Sequence, residues 1–246
     1  LSIEEIRQVR DRLKELLKEK QEILGKKEEE EEQEQQQEQK FTPEEISESI
    51  ERIKEEKGLD IEFKVDEKGW VSFTEAKEKI GQIVEILKDG NCKVTKINLW
   101  HNHLGPGEVA SITEALKDKN CKVTKISLGE NNLGPKEAAS IANALKNKNC
   151  KVTEISLWGN NLGPEGAVFI AGALKDENCK VTKIDLGFNN LGPEGAVFIA
   201  GALKDENCKV TKINLWHNHL GPKGREILRE LEESLKEQGR GVKIIF

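Results

Sequence analysis

Cys92, Cys121, Cys150, Cys179 and Cys208 stand at a constant spacing of 29 residues. A period of this length confines the fold, because a single unit cannot bury a hydrophobic face alone and successive units must stack side by side into a solenoid. Within the first unit, Val94, Ile97, Leu99, Asn102 and Leu104 follow the pattern Val-x-x-Ile-x-Leu-x-x-Asn-x-Leu. Ile97 and Leu99 alternate with Lys96, Asn98 and Trp100, which is the period of a strand with one face turned inward. Gly105-Pro106 then breaks the chain, and Val109, Ile112, Ala115 and Leu116 recur at helical spacing. Each unit reads as one strand, one turn and one helix.

The pattern returns as Val123, Ile126, Leu128, Asn131 and Leu133, and again from Val152, Val181 and Val210. On these residues the stretch "CKVTKINLWHNHLGPGEVASITEALKDKN" resembles a leucine-rich repeat of the ribonuclease-inhibitor type. The resemblance covers roughly residues 91–246. It implies an α/β leucine-rich-repeat solenoid, a right-handed β-α superhelix shaped as a horseshoe, with a concave parallel sheet and convex helices. Asn102, Asn131, Asn160, Asn189 and Asn218 are expected to form an inward ladder whose amides satisfy backbone groups in the turns.

The ends need covers. Ile80, Ile83, Ile86 and Leu87 precede Val109, Ile112, Ala115 and Leu116 by one period, so residues 75–89 are expected to form the first convex helix. Before it, "IEFKV-DEKG-WVSF" alternates about a turn and reads as a β-hairpin cap. Phe41 to Lys57 reads as a helix with Thr42 as N-cap, Pro43 in the first turn and Glu45 closing a capping box. At the far end, "VKIIF" is expected to add a last strand. These readings divide the chain into an N-terminal helix plus a Glu/Gln-rich tether at 1–40, an N-terminal helical and hairpin cap at 41–90, and the repeat array at 91–246. Residues 2–24 carry Ile6, Val9, Leu13, Leu16 and Ile23 at spacings of mostly three and four, so this helix must pack on something, and a homo-oligomer through residues 1–24 is one expectation. The tract "KKEEEEEQEQQQEQK" is either a solvated helix extension or a tether.

Charge is uneven. Residues 1–90 hold 17 Lys and Arg against 27 Asp and Glu, while 91–246 hold 22 against 18. With a formal net charge of -6 the chain has no global attraction for nucleic acid. Neither a bilayer-length apolar run nor a signal-peptide pattern is visible, so a soluble, cytoplasmic protein is expected. Methionine is absent even from position 1, which fits trimming, processing or engineering.

The histidines come in two pairs, His101 with His103 and His217 with His219, inside two copies of "LWHNHLGP". Four strand steps separate the pairs, roughly 19 Å, so they cannot share one ion, and each pair alone lacks further ligands. A surface or binding role is expected. The cysteine column reads as reduced, packed thiols, since five cannot all pair.

The concave columns carry the binding candidates. Trp100, Gly129, Trp158, Gly187 and Trp216 form one column. Beside it lie His101, Glu130, Gly159, Phe188 and His217, together with Lys96, Lys125, Glu154, Lys183 and Lys212. Aromatic residues flanked by charge are what binding hot spots use; the competing reading is that each indole covers the sheet where its neighbour is Gly. On the convex side, Val168, Phe169, Val197 and Phe198 form a possible second surface if they face outward, or lie under the N-terminal helix or the next repeat. Two lysine columns, Lys88 to Lys204 and Lys93 to Lys209, resemble a polyanion track, although the first also sits at helix C-termini where cations complement the dipole.

The expected function is a non-enzymatic protein-protein interaction module that binds a protein partner through the concave face, without metal, cofactor, membrane or nucleic acid. Three alternatives stand beside it. Residues 162–184 and 191–213 are identical, as in an engineered repeat scaffold with no natural partner. The others are a scaffold self-associating through the N-terminal helix, and polyanion binding through the lysine columns.

Overall fold

The computed structural model describes residues 41–246 of the 246-residue chain. The expected helix at 2–24 and the Glu/Gln-rich tract lie outside the described residues. The described chain opens with α1 (Pro43–Lys57), whose capping box forms as the sequence predicts: the Glu45 N–H donates to Thr42 Oγ1 and the Thr42 N–H donates to Glu45 Oε2. Gly58 ends the helix in the left-handed conformation at φ 64°.

The hairpin follows as β1 (Phe63–Val65) and β2 (Trp70–Phe73), paired antiparallel. Asp66 shapes its turn by accepting the backbone N–H groups of Lys68 and Trp70 on Oδ1. The first convex helix, α2 (Ile80–Leu87), is shorter than the expected 75–89. Residues 74–79 form a turn with Glu75 at φ 52°, a left-handed backbone that no α-helix contains, and regular helix begins only at Ile80.

The repeats then alternate without exception. β3 (Lys96–Asn98), α3 (Pro106–Leu116), β4 (Lys125–Ser127), α4 (Pro135–Leu145) and β5 (Glu154–Ser156) lead into α5 (Gly163–Leu174), β6 (Lys183–Asp185), α6 (Gly192–Lys204), β7 (Lys212–Asn214), α7 (Gly221–Glu237) and β8 (Lys243–Ile245). The eight strands lie in sequence order in one sheet, parallel from β2 onward, with Ile97, Ile126, Ile155, Ile184 and Ile213 in register. Strands repeat every ~4.8 Å while packed helices need ~8–10 Å, so the stack bends with the sheet inside and the helices outside.

Between the layers lies one core of Val, Ile, Leu, Ala and Cys, nearly all fully buried. Small residues let neighbouring helices close up. A Cβ at Gly195 would come within 3.3 Å of Ala167 Cβ, and one at Gly224 within 3.1 Å of Ala196 Cβ. The asparagine ladder forms as expected. Asn131 donates from Nδ2 to the carbonyls of Leu99, Leu128 and Gly129, while its Oδ1 accepts the N–H groups of Asn102 and Leu104. Asn131, Asn160, Asn189 and Asn218 are buried, and Asn102, at the edge of the ladder, is half-buried.

Candidate functional site: an aromatic rail along a charged concave sheet

Each strand ends in a turn that needs left-handed backbone one residue past the Trp/Gly column. His101, Glu130, Phe188 and His217 occupy that slot with φ between 51° and 54°, and Gly159 fills it once at φ 68°. Glycine takes this conformation at little cost, whereas a side chain there costs about 1 kcal/mol. Four of five repeats nevertheless carry one, and three of the four are aromatic rings or imidazoles.

These rings touch. Phe188 packs edge-on against Trp158 at 5.1 Å and against Trp216 at 5.2 Å, and stacks on His217 at 4.4 Å; Trp216 and His217 meet at 4.0 Å. The structure thus brings Trp158, Phe188, Trp216 and His217 into one continuous group. At the other end of the array, Trp100 contacts His101 at 5.3 Å and His101 contacts His103 at 4.9 Å. Trp100 and Trp216 keep 47% and 50% of their surface exposed, and His103 and His219 are exposed as well.

Beside this rail, the concave strands present Lys96, Lys125, Glu154, Lys183 and Lys212 in register. Lys96 is anchored by donating from Nζ to the Lys68 carbonyl of the hairpin turn. Glu154 lies between Lys125 Nζ at 3.1 Å and Lys183 Nζ at 3.3 Å. Burial alone would raise its carboxyl, but the hydrogen bond and charge of Lys125, joined by Lys183, outweigh it and hold Glu154 below the ordinary carboxylate range. The face therefore shows a fixed acid between bases rather than a uniform positive strip.

Two clefts open on this face. One of about 320 Å³ is lined by Trp70, Glu154, Lys183, Asp185, Lys212, Asn214 and Ile245, among others. Trp70 lies in β2 and Ile245 in β8, so the curvature brings both ends of the sheet to one cavity. A second cleft is bordered by Asp66, Trp70, Ser72, Asn98 and Trp100. Trp70 lines both, yet it stands in the hairpin outside the repeat, where no column marks it.

Other columns take structural places. The lysines that follow each cysteine do not form an open polyanion track. Nζ of Lys122, Lys151, Lys180 and Lys209 each donates to two backbone carbonyls of the preceding unit, one of them the cysteine's own, as Lys151 does to Lys119 and Cys121. Arg240 ends the column with the same bonds, to the carbonyls of Lys204 and Cys208. The five cysteines are unpaired and buried. Desolvation raises every thiol, Cys92 to about 12 and Cys121 to about 11, which keeps them protonated and unreactive.

His101 Nδ1 lies 3.1 Å from Glu130 Oε2. Among the described residues no three of His, Cys, Asp and Glu come together as a metal set. No helix among them is long and apolar enough to cross a membrane. Val168, Phe169, Val197 and Phe198 face outward on α5 and α6.

Residues 148–171, 177–200 and 206–227 match the family model described as Leucine Rich repeat. Among solved structures the chain is similar to Leiomodin-1 Actin-Binding Site 2, at 23% identity and a TM-score of 0.54, over 65% of this chain and 90% of that one. It is also similar to the tropomodulin C-terminal domain of Caenorhabditis elegans, at 15% identity and a TM-score of 0.51, over 65% of this chain and 95% of that one. At these identities the likeness is one of fold. No curated protein sequence matches.

Proposed function

The chain is a leucine-rich-repeat protein, and on that premise we propose that it is a non-enzymatic protein-interaction module whose partner lies along the concave face and the aromatic rail beside it. The observation that carries this reading is the left-handed slot. His101, Glu130, Phe188 and His217 are held there at a conformational cost that glycine would avoid, and strain of this kind concentrates where a side chain must be displayed. Trp158, Phe188, Trp216 and His217 would supply the buried contacts, with Trp100, His101, His103 and His219 extending them. Lys125, Lys183 and Lys212 would set orientation through charge, with Lys96 at the hairpin end of the column.

A rigid ladder of backbone bonds supports such a surface, since little ordering entropy is lost when the partner docks. The leiomodin-1 structure is that of an actin-binding site, which supports a protein as the class of partner and makes purified actin a sensible first probe. Five buried, unpaired thiols suit a reducing, cytoplasmic setting. The test is capture of partners from lysate, and of purified actin, by the wild type and by a Trp158→Ala, Phe188→Ala, Trp216→Ala variant of matched thermal stability. A partner held only by the wild type supports the rail; a partner held equally by both overturns it.

A further inference from the structure

The convex surface holds an apolar patch that concave binding does not use. Val168 and Phe169 on α5, and Val197 and Phe198 on α6, are 41%, 44%, 49% and 44% exposed. The patch is confined to these two helices. The matching positions are Ala110 and Ser111 on α3, Ala139 and Ser140 on α4, and Glu226 and Ile227 on α7.

One turn beyond each phenylalanine stands an exposed glycine, Gly172 or Gly201, where other repeats have Glu114, Asn143 and Glu230. A Cβ at either would meet nothing within 4 Å, and neither needs a positive φ. A mid-helix glycine costs about 1 kcal/mol relative to alanine. Nothing in the packing of the described chain requires either residue, so each leaves a bare spot of backbone beside an exposed ring.

Charge completes the pattern. Each helix face runs from Glu165 or Glu194, through Val-Phe and Gly, to Lys175 or Lys204, a span of about 15 Å at ~1.5 Å per residue. All four charges are exposed, and among the described residues none makes an ion pair. The midpoint of the Glu–Lys pair and that of the Phe–Gly pair coincide to less than one residue. A two-fold axis through that point reverses the face onto itself, glutamate over lysine and phenylalanine over glycine.

We infer that the exposed faces of α5 and α6 form an isologous contact with a second copy of this chain. The helices cross antiparallel, each over its own counterpart, so that Phe169 enters the bare spot at Gly172 of the second copy and Phe198 enters that at Gly201. Glu165 meets Lys175 of the second copy, and Glu194 meets its Lys204. A closed two-fold contact of this kind uses the same patch twice. The apolar area, on the order of 300 Å² per copy, is large for an exposed patch and small for an obligate interface, so the dimer is weak and concentration-dependent.

The test is sedimentation equilibrium of the full chain from about 5 to 500 μM, the range suited to a small interface. The expected mass rises from monomer toward dimer. Phe169→Ser with Phe198→Ser, and separately Gly172→Leu with Gly201→Leu, each weaken the dimer at least about tenfold while circular dichroism stays native; the leucines fill open space and improve helix propensity, so the monomer's Tm holds or rises. Glu165→Lys with Glu194→Lys weakens association, and adding Lys175→Glu with Lys204→Glu restores it. A monomer throughout the range overturns the inference. So does a dimer indifferent to the phenylalanine or glycine substitutions, as one held by residues 1–24 would be.

Discussion

The indole of Trp158 lies against the backbone of Gly187, so near that a Cβ on the glycine would sit 2.8 Å from Trp158 Cδ1. Trp100 stands in the same relation to Gly129, again at 2.8 Å. The alternation of Trp and Gly down the column is therefore a packing rule, Trp100 and Trp158 each lying in the place that the next repeat's side chain would need. Covering and display are compatible, because Trp100 in this arrangement is still about half exposed.

Gly187→Ala is expected to lower stability by about 1–2 kcal/mol, because the ring must leave the sheet or the strand must shift. Gly129→Ala should cost more, since its Cβ would also meet the Trp158 carbonyl oxygen at 3.0 Å. Gly172→Ala is the control and should stabilise the monomer by about 0.5–1 kcal/mol. Urea unfolding followed by tryptophan emission measures all three, and a neutral Gly187→Ala would show that the contact is loose.

The ladder makes a second prediction. Asn131→Ala strands the Leu99 carbonyl and the N–H groups of Asn102 and Leu104 in a buried turn, while the Leu128 and Gly129 carbonyls keep donors from Asn160 and His101, and it should cost about 3 kcal/mol. Asn102→Ala removes a half-buried amide bonded to the Trp100 carbonyl and should cost about 1 kcal/mol or less. Denaturant midpoints at equal slope would give the difference directly.

What was legible in the sequence is what repeats. Ile97 to Ile213 fix the register because one period returns the same face to the core, and Thr42, Pro43 and Glu45 fix the first helix because capping is local. The short α2 was not legible, since the turn at 74–79 occurs once and has no column to read. Trp70 was missed for the same reason: its place in the concave clefts depends on how β2 pairs with β3. The lysine column was visible as charge, but its bonds reach backbone 30 to 32 residues earlier, which only the stacked geometry supplies. The contacts of Phe188 with both Trp158 and Trp216 likewise depend on ring directions in three successive turns.

Those lysine bonds make a third prediction. Lys151→Met leaves the stem in place and deletes the donor to the Lys119 and Cys121 carbonyls, so it should cost about 1 kcal/mol. Lys146→Met, at an exposed helix end, should stay within about 0.5 kcal/mol of the wild type. Equal losses at both sites in thermal melts would return Lys151 to the ordinary surface.

The cysteine column predicts a decline in stability at alkaline pH with a known sign. Burial raises the thiols above their ordinary value of 9.0, Cys92 to about 12 and Cys121 to about 11. Below pH 9 both folded and unfolded chains keep their thiol protons, and the contribution is fully present. As pH rises past 9 the unfolded chain releases protons that the folded chain retains, so unfolding becomes easier until the folded pKa values are reached, by at most about 1.4 kcal/mol per pH unit for each thiol. Lysines also titrate in this range, so the readout is the difference between the wild type and a variant with all five cysteines changed to Ala, measured by urea unfolding from pH 8 to 11. The wild type should lose more stability than the variant over that interval, and parallel curves would mean that the thiols titrate alike in both states. At pH 8 a thiol reagent should react slowly with the folded chain. Cys208, the most exposed of the column at 6%, should be labelled before Cys92 at 2%.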